Sequence, residues 1–255
     1  MDILAIGLLA VAAVGYFVLA GTDLGAGMAL FFLGRDARER RLVIAAFAPF
    51  FLGNEIWLIL TAGLLIGLLN GLEEALFGAL YESIAVLLVG WVVRDAGLWL
   101  RGRLGAPLWQ LFWDGAITAG SWTVTGAWGW AVGTVLLYRL DPPGSLFPLI
   151  GVAATWVLFG LHGLAFAVLR LRGAPYERAR TVAGPSGERV TFALTSIGMA
   201  VIPLVVGARL PLRESVTESA SFVAVTTAVL LPVLVAAQAW VWWLFRHRVT
   251  APTYL

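Results

Sequence analysis

Six ionisable side chains stand in long apolar runs of this sequence: Asp23, Glu55, Glu82, Arg94, Asp114 and His162, with Asn54 beside Glu55 and Asp95 in a shallower position. Each costs about 2.5–3.5 kcal/mol at bilayer depth on insertion scales unless it is paired or wet. Two kinds of chemistry suit such residues. They can carry a proton or an ion, or line a cofactor or quinone site. Alternatively they are mutual partners that hold helices together. A guanidinium and a carboxylate saturate one another well, which favours the second reading for Arg94 and Asp114. A histidine flanked by Gly160 and Gly163, as His162 is, reads most simply as one packed, hydrogen-bonded ring. Asp23 and Glu55 lack a basic partner on their own hairpin, so they are the carboxyls best suited to proton transfer.

The elements that must position these groups are membrane helices. The chain has 255 residues, 60% hydrophobic and 13% charged, against about 25% charged for soluble domains. Its mean hydropathy is +0.90. Seven runs are long enough to cross a bilayer, at 3–33, 42–69, 73–100, 108–137, 147–170, 190–208 and 221–245. The expected fold is an all-α polytopic transmembrane helix bundle in one membrane domain, with a four-helix part over 1–140 and a three-helix part over 141–255. The start, Met1-Asp2-Ile3-Leu4, has no basic segment, so the first run is expected to be a retained helix. The net charge of +2 gives no reason to invoke nucleic acid, and the lack of cysteine excludes thiolate-bound metal.

Arginine placement sets the expected orientation. Alternate connections and the C-terminal end carry thirteen arginines, among them Arg35, Arg38, Arg40, Arg41, Arg101 and Arg103. The opposite side has Arg139, Arg209 and Arg213 with the acids Asp2, Glu73, Glu74, Asp141, Glu214 and Glu218. An outside N-terminus and a cytoplasmic C-terminus satisfy every loop. Glycines four apart, Gly21/Gly25, Gly63/Gly67 and Gly129/Gly133, allow close helix packing.

Folding each hairpin about its loop gives relative depths. With the first loop centred near 37 or 38, Asp23 falls within about one turn of Asn54 and Glu55. With the third loop centred near 104, Arg94 falls opposite Asp114. His162 lies at comparable depth, so five helices are expected to share one polar layer, with Glu82 nearer mid-membrane. Haem needs axial His or Met ligands. Only His162, His247, Met1, Met28 and Met199 are available, so a bis-histidine haem within this chain is not expected.

The order of "GYFVLAGTDLGAGM" (15–28), "GRDARERR" (34–41), "GNEIWLILTAG" (53–63), "RDAGLWLRGR" (94–103), "LWQLFWDGAITAGS" (108–121), "LHGLAFAVLRLRG" (161–173) and "LPVLVAAQAWVWWLFRHRV" (231–249) resembles subunit II of cytochrome bd-type quinol oxidases. The resemblance covers most of the first five spans and the last. It implies a non-haem subunit paired with a haem-bearing subunit I, in which the haems b and d (or b only) would lie. It implies support for assembly of those haem sites, polar residues on a proton route from the cytoplasm, and a structural quinone or lipid. Quinol at the level of the complex, a small single-helix accessory subunit and a bacterial or archaeal cytoplasmic membrane come with it. Asp23 falls on the family's Gly-x-Asp-Leu-Gly element. Gly53, Asn54, Glu55 and Trp57 fall on its Gly-Asn-(Glu/Gln)-x-Trp element. Arg94, Asp114 and His162 fall on the polar positions of spans three to five.

Three features depart from that pattern. The acid usual before the Gly-Asn pair is Leu52, preceded by Phe51 where tryptophan is common, and an acid often found before Asp23 is Ala20. The chain is short and lacks a helical hairpin after span five. The competing readings are a stand-alone seven-helix transporter, for which Pro203, Pro232 and the glycines around Asp23 would supply broken helices, and a purely structural membrane subunit.

Overall fold

The computed structural model describes residues 2–137, 147–184, 187–217 and 220–251. The loop near 140, where the two parts of the bundle were expected to meet, lies outside them, as do Arg139, Asp141 and Glu218. Twelve α-helices are found among the described residues: α1 Asp2–Met28, α2 Leu30–Leu33, α3 Ala37–Phe47, α4 Phe51–Leu68, α5 Leu72–Ala79, α6 Tyr81–Leu100, α7 Pro107–Leu137, α8 Phe147–Arg170, α9 Gly173–Ala183, α10 Glu188–Gly207, α11 Leu212–Ser215 and α12 Ala220–Leu244. Six of them, α1, α4, α6, α8, α10 and α12, reach the length and hydropathy of a membrane crossing. The expected span at 108–137 is α7. Its glycines, threonines and tryptophans dilute its hydropathy below that mark. At 31 residues it is about 46 Å long, more than the roughly 30 Å of bilayer hydrocarbon, and it packs along both α6 and α8.

Three expected continuous spans are interrupted. The first breaks at Ala29, between α1 and α2. The second breaks at Ala48–Phe50, where Pro49 cannot donate a backbone hydrogen bond. The arginine-bearing α3 is thereby separated from the apolar α4, and Asp36 caps α3 by accepting from the Glu39 amide at 2.8 Å. The third breaks at Leu80, between α5 and α6.

α1 is the central helix, packed against α4, α7, α8, α10 and α12. Its closest approach is to α8. A Cβ on Gly25 would lie 1.9 Å from the Phe159 carbonyl oxygen, and one on Gly163 would lie 2.1 Å from the Gly25 carbonyl carbon. Only paired glycines permit that spacing. Three apolar clusters stack along the bundle. One holds Phe47, Phe50, Leu98, Ile117 and Phe166; the next holds Tyr16, Phe17, Trp57, Phe159 and Met199; the last holds Leu8, Leu64, Leu68 and Ala224. Past α12 the chain is latched to α8 and α10. Val249 donates to the Arg170 carbonyl at 2.8 Å, and Arg248 pairs with Glu188, whose carboxylate holds the Arg248 guanidinium above its ordinary pKa.

Candidate functional site: a charged layer inside the bundle

Between the first two apolar clusters lies a layer of polar side chains. Asp23 on α1 is buried and accepts from Arg94 Nη2 at 2.8 Å and from Asn54 Nδ2 at 2.8 Å. Asn54 Nδ2 also donates to the Leu19 carbonyl at 3.0 Å. With its amide nitrogen committed there, Asn54 turns its oxygen to Gln238 of α12, whose Nε2 donates at 2.9 Å. In that orientation the Gln238 oxygen lies 3.4 Å from Trp57 Nε1, whereas the reversed amide would accept from Trp242 Nε1 at 3.1 Å and donate to the Gly53 carbonyl at 3.3 Å. Trp57 is seated on Gly15, where a Cβ would come within 2.1 Å of the indole. Gly53 makes room for Gln238 in the same way, with a Cβ position 3.3 Å from its Oε1.

Arg94 is the hub. Its Nη1 donates to Glu55 Oε1 and to Asp95 Oδ1, each at 3.0 Å, and its guanidinium lies 5.7 Å from the Phe51 ring centroid. Trp91 Nε1 donates to Glu55 Oε1 at 2.8 Å. Side-chain exposure rises in steps through the carboxyls: 2% for Asp23, 13% for Glu55 and 21% for Asp95. The layer thus runs from the centre of the bundle to its edge. One guanidinium faces three carboxyls. Full ionisation would leave a net charge of −2, and a proton held among the carboxyls reduces the cost of burying them.

The expected pairing of Arg94 with Asp114 does not occur. Arg94 lies opposite Gly120, whose Cβ position is 2.7 Å from the Arg94 Cβ, and Gly97 lies opposite Ile117. Both pairs centre the hairpin on residue 107, since half of 94 + 120 and half of 97 + 117 is 107. The 3₁₀ turn Arg101–Arg103 and the extended residues before Pro107 displace the centre by about three residues from 104. Asp114, fully buried, is paired instead with Arg101 and with Arg40 Nε at 2.7 Å. Arg101 Nη2 reaches the Ala37 carbonyl at 3.2 Å. This second cluster ties α3 to the α6–α7 turn and sets two guanidiniums on one carboxylate.

His162 joins neither cluster. Nδ1 is 2.8 Å from Thr195 Oγ1, Nε2 is 2.9 Å from the Val18 carbonyl, and the ring stacks on Phe192. It packs beside Gly21, where Met199 also lodges. Both ring nitrogens have hydrogen-bond partners within the bundle. Glu82, expected near mid-membrane, is exposed in the first turn of α6, twelve residues or about 18 Å from Arg94. The break at Leu80 places it there. The single polar layer expected from hairpin depths is therefore two separate charge clusters, a lone histidine and a distant carboxylate. Gln238, Trp91, Arg40 and Arg101 belong to the clusters and were not among the expected site residues. Leu52, where the resemblance puts an acid, is 49% exposed, whereas Glu55 accepts from Arg94.

Fold and site together define an all-α polytopic membrane protein with a carboxylate-rich ion-pair network buried among its helices. Residues 1–212 match the family model described as cytochrome bd terminal oxidase subunit II, and the chain belongs to that family. It is similar to cytochrome bd-I ubiquinol oxidase subunit 2 of Escherichia coli (strain K12), 30% identical over 207 residues that cover 74% of this chain and 55% of the relative. Cytochrome bd ubiquinol oxidase subunit 2 of Bacillus subtilis (strain 168) is 30% identical over 189 residues, covering 69% of this chain and 55% of the relative. A probable cytochrome oxidase subunit 2 of Haemophilus influenzae is 27% identical over 202 residues, covering 72% and 53%. The chain spans about half the length of the curated relatives it matches.

Proposed function

We propose that this chain is the non-haem subunit of a quinol:oxygen oxidoreductase, paired with a haem-bearing subunit in a cytoplasmic membrane. It sits with the Arg40–Arg101–Asp114 end towards the cytoplasm, as the arginine distribution favours. Quinol oxidation and oxygen reduction belong to the partner. This chain supports the partner's assembly and accepts protons at Glu55 and Asp95 for transfer inward to Asp23. The observation that carries this reading is the graded exposure of three carboxyls around one guanidinium. Arg94 gathers them around one guanidinium, which stabilises whichever carboxyl is ionised, and the proton itself would pass from Glu55 to Asp23 through water or a small side-chain movement. A gap between α4 and α6, about 520 Å³ and lined by apolar side chains with Trp91 at one end, would take the tail of a structural quinone or lipid.

Glu55→Gln in the assembled complex tests the proton role. Amide nitrogen and oxygen preserve the packing and the bond from Trp91 but cannot carry a proton. Turnover is expected to fall several-fold while the haem content of the purified complex stays unchanged. Full turnover in an intact complex would overturn the proton role and leave a scaffold.

A further inference from the structure

Away from the charged layer, α6, α7 and α8 frame a groove of about 330 Å³ that opens on the outside of the bundle. Glu82 stands at one end of it and three half-exposed indoles, Trp122, Trp130 and Trp156, form its walls. Two of the three indole edges are already engaged. Trp156 Nε1 donates to the Trp122 carbonyl at 3.0 Å and Trp122 Nε1 to the Met28 carbonyl at 3.2 Å. What these rings offer to the groove is therefore apolar surface and π faces. No arginine lines the groove, and the Glu82 carboxylate has no ion pair or hydrogen bond among the described residues. Its place in the first turn of α6 suits the helix dipole, but that does not account for a carboxylate opening onto a tryptophan-walled groove.

We propose that this groove binds one phospholipid with an amine headgroup, its ammonium beside Glu82 and one acyl chain running along Val86 and Gly126 towards Trp122. Charge selects the headgroup. A carboxylate and electron-rich ring faces attract a cation and repel an anionic lipid. Depth agrees: Glu82 lies in the first turn of its span, at the level of headgroups, whereas Trp122 lies near the middle of the 31-residue α7. Size argues for a chain over a protein helix, since a helix with side chains is about 10–12 Å across and the groove is at the small end of the about 300–1,000 Å³ usual for ligand pockets. The groove adjoins the gap between α4 and α6, with Ser83 and Ala127 walling both, and its lipid preference does not depend on the proposed proton role.

The test uses the purified complex, exchanged into nanodiscs of equal phosphatidylethanolamine and phosphatidylglycerol and analysed by native mass spectrometry for retained lipid. The unaltered complex is expected to retain phosphatidylethanolamine over phosphatidylglycerol by about five-fold, the scale of one exposed cation–π and charge contact. Glu82→Gln is expected to abolish that preference, and Glu82→Arg to reverse it. An unchanged preference in both variants overturns the proposal. So does loss of the haem subunit from Glu82→Arg with the lipid profile unaltered, which would mean that the groove receives a protein partner.

Discussion

Replacing Arg94 with glutamine should destabilise the bundle, and removing one of its acids in the same chain should restore much of the loss. Arg94 is buried, with carboxylates at 2.8, 3.0 and 3.0 Å. Each such contact is worth about 5–6 kcal/mol at an effective dielectric near 20. Desolvation of the guanidinium and repulsion among the three acids offset most of that sum, so the net loss on removing one partner of a buried network is about 3–5 kcal/mol. In charge terms, the fully ionised cluster goes from −2 to −3 in Arg94→Gln. Adding Asp23→Asn returns it to −2 and replaces a stranded carboxylate with an amide that can still bond Asn54. The double variant is therefore expected to be more stable than Arg94→Gln by about 2 kcal/mol or more. The assay is a double-mutant cycle on the purified complex, read as unfolding by sodium dodecyl sulfate in mixed micelles. Strictly additive losses, with the double variant the least stable of the set, would refute the reasoning, because they would mean that Asp23 and Arg94 do not share a charge balance.

Two further outcomes follow from packing. Gly25→Ala should lower the thermal midpoint of the complex. Its Cβ would sit 1.9 Å from a carbonyl oxygen where ordinary contact begins at 3.4 Å, so α1 and α8 must part by about 1.5 Å, at a cost of about 1–3 kcal/mol; Gly160→Ala, with nothing within 4 Å, is the control and should be neutral. Leu52→Glu should fail to restore turnover to Glu55→Gln, since residue 52 faces out of the bundle; recovery of activity in that double variant would show that the outward face supplies protons.

Much of this architecture was legible because a bilayer is a demanding solvent. Apolar runs of membrane length have to be helices, and all seven expected spans are helical. The relation of Asp23 to Asn54 was also legible. The turn between α2 and α3 is short enough that reflecting one arm onto the other lands within a helical turn, and Asn54 donates to Asp23 at 2.8 Å. Gln238 was not legible. It is a single amide in an apolar helix, 184 residues from Asn54, and nothing local marks which face of α12 meets α4. Nor were the breaks at Ala29 and Leu80, which carry no proline.

Arg94 shows why depth arguments fail by small amounts with large effects. The register of the α6–α7 hairpin is set by where glycines let the backbones close, at Gly90, Gly97 and Gly120. A shift of the turn by three residues moves the facing position by about six, or about 9 Å along the helix. That exceeds the reach of a salt bridge, so Asp114 passes from Arg94 to Arg101, and Arg94 is left to find its acids on α1 and α4. The same shift divides the charges by type. Asp114 is left with two arginines, a structural knot with no carboxyl to spare. Arg94 is left with three carboxyls, an excess of acid that can hold a proton. The small-residue pattern that brings α6 against α7 therefore also decides which of the two clusters holds more carboxyls than guanidiniums.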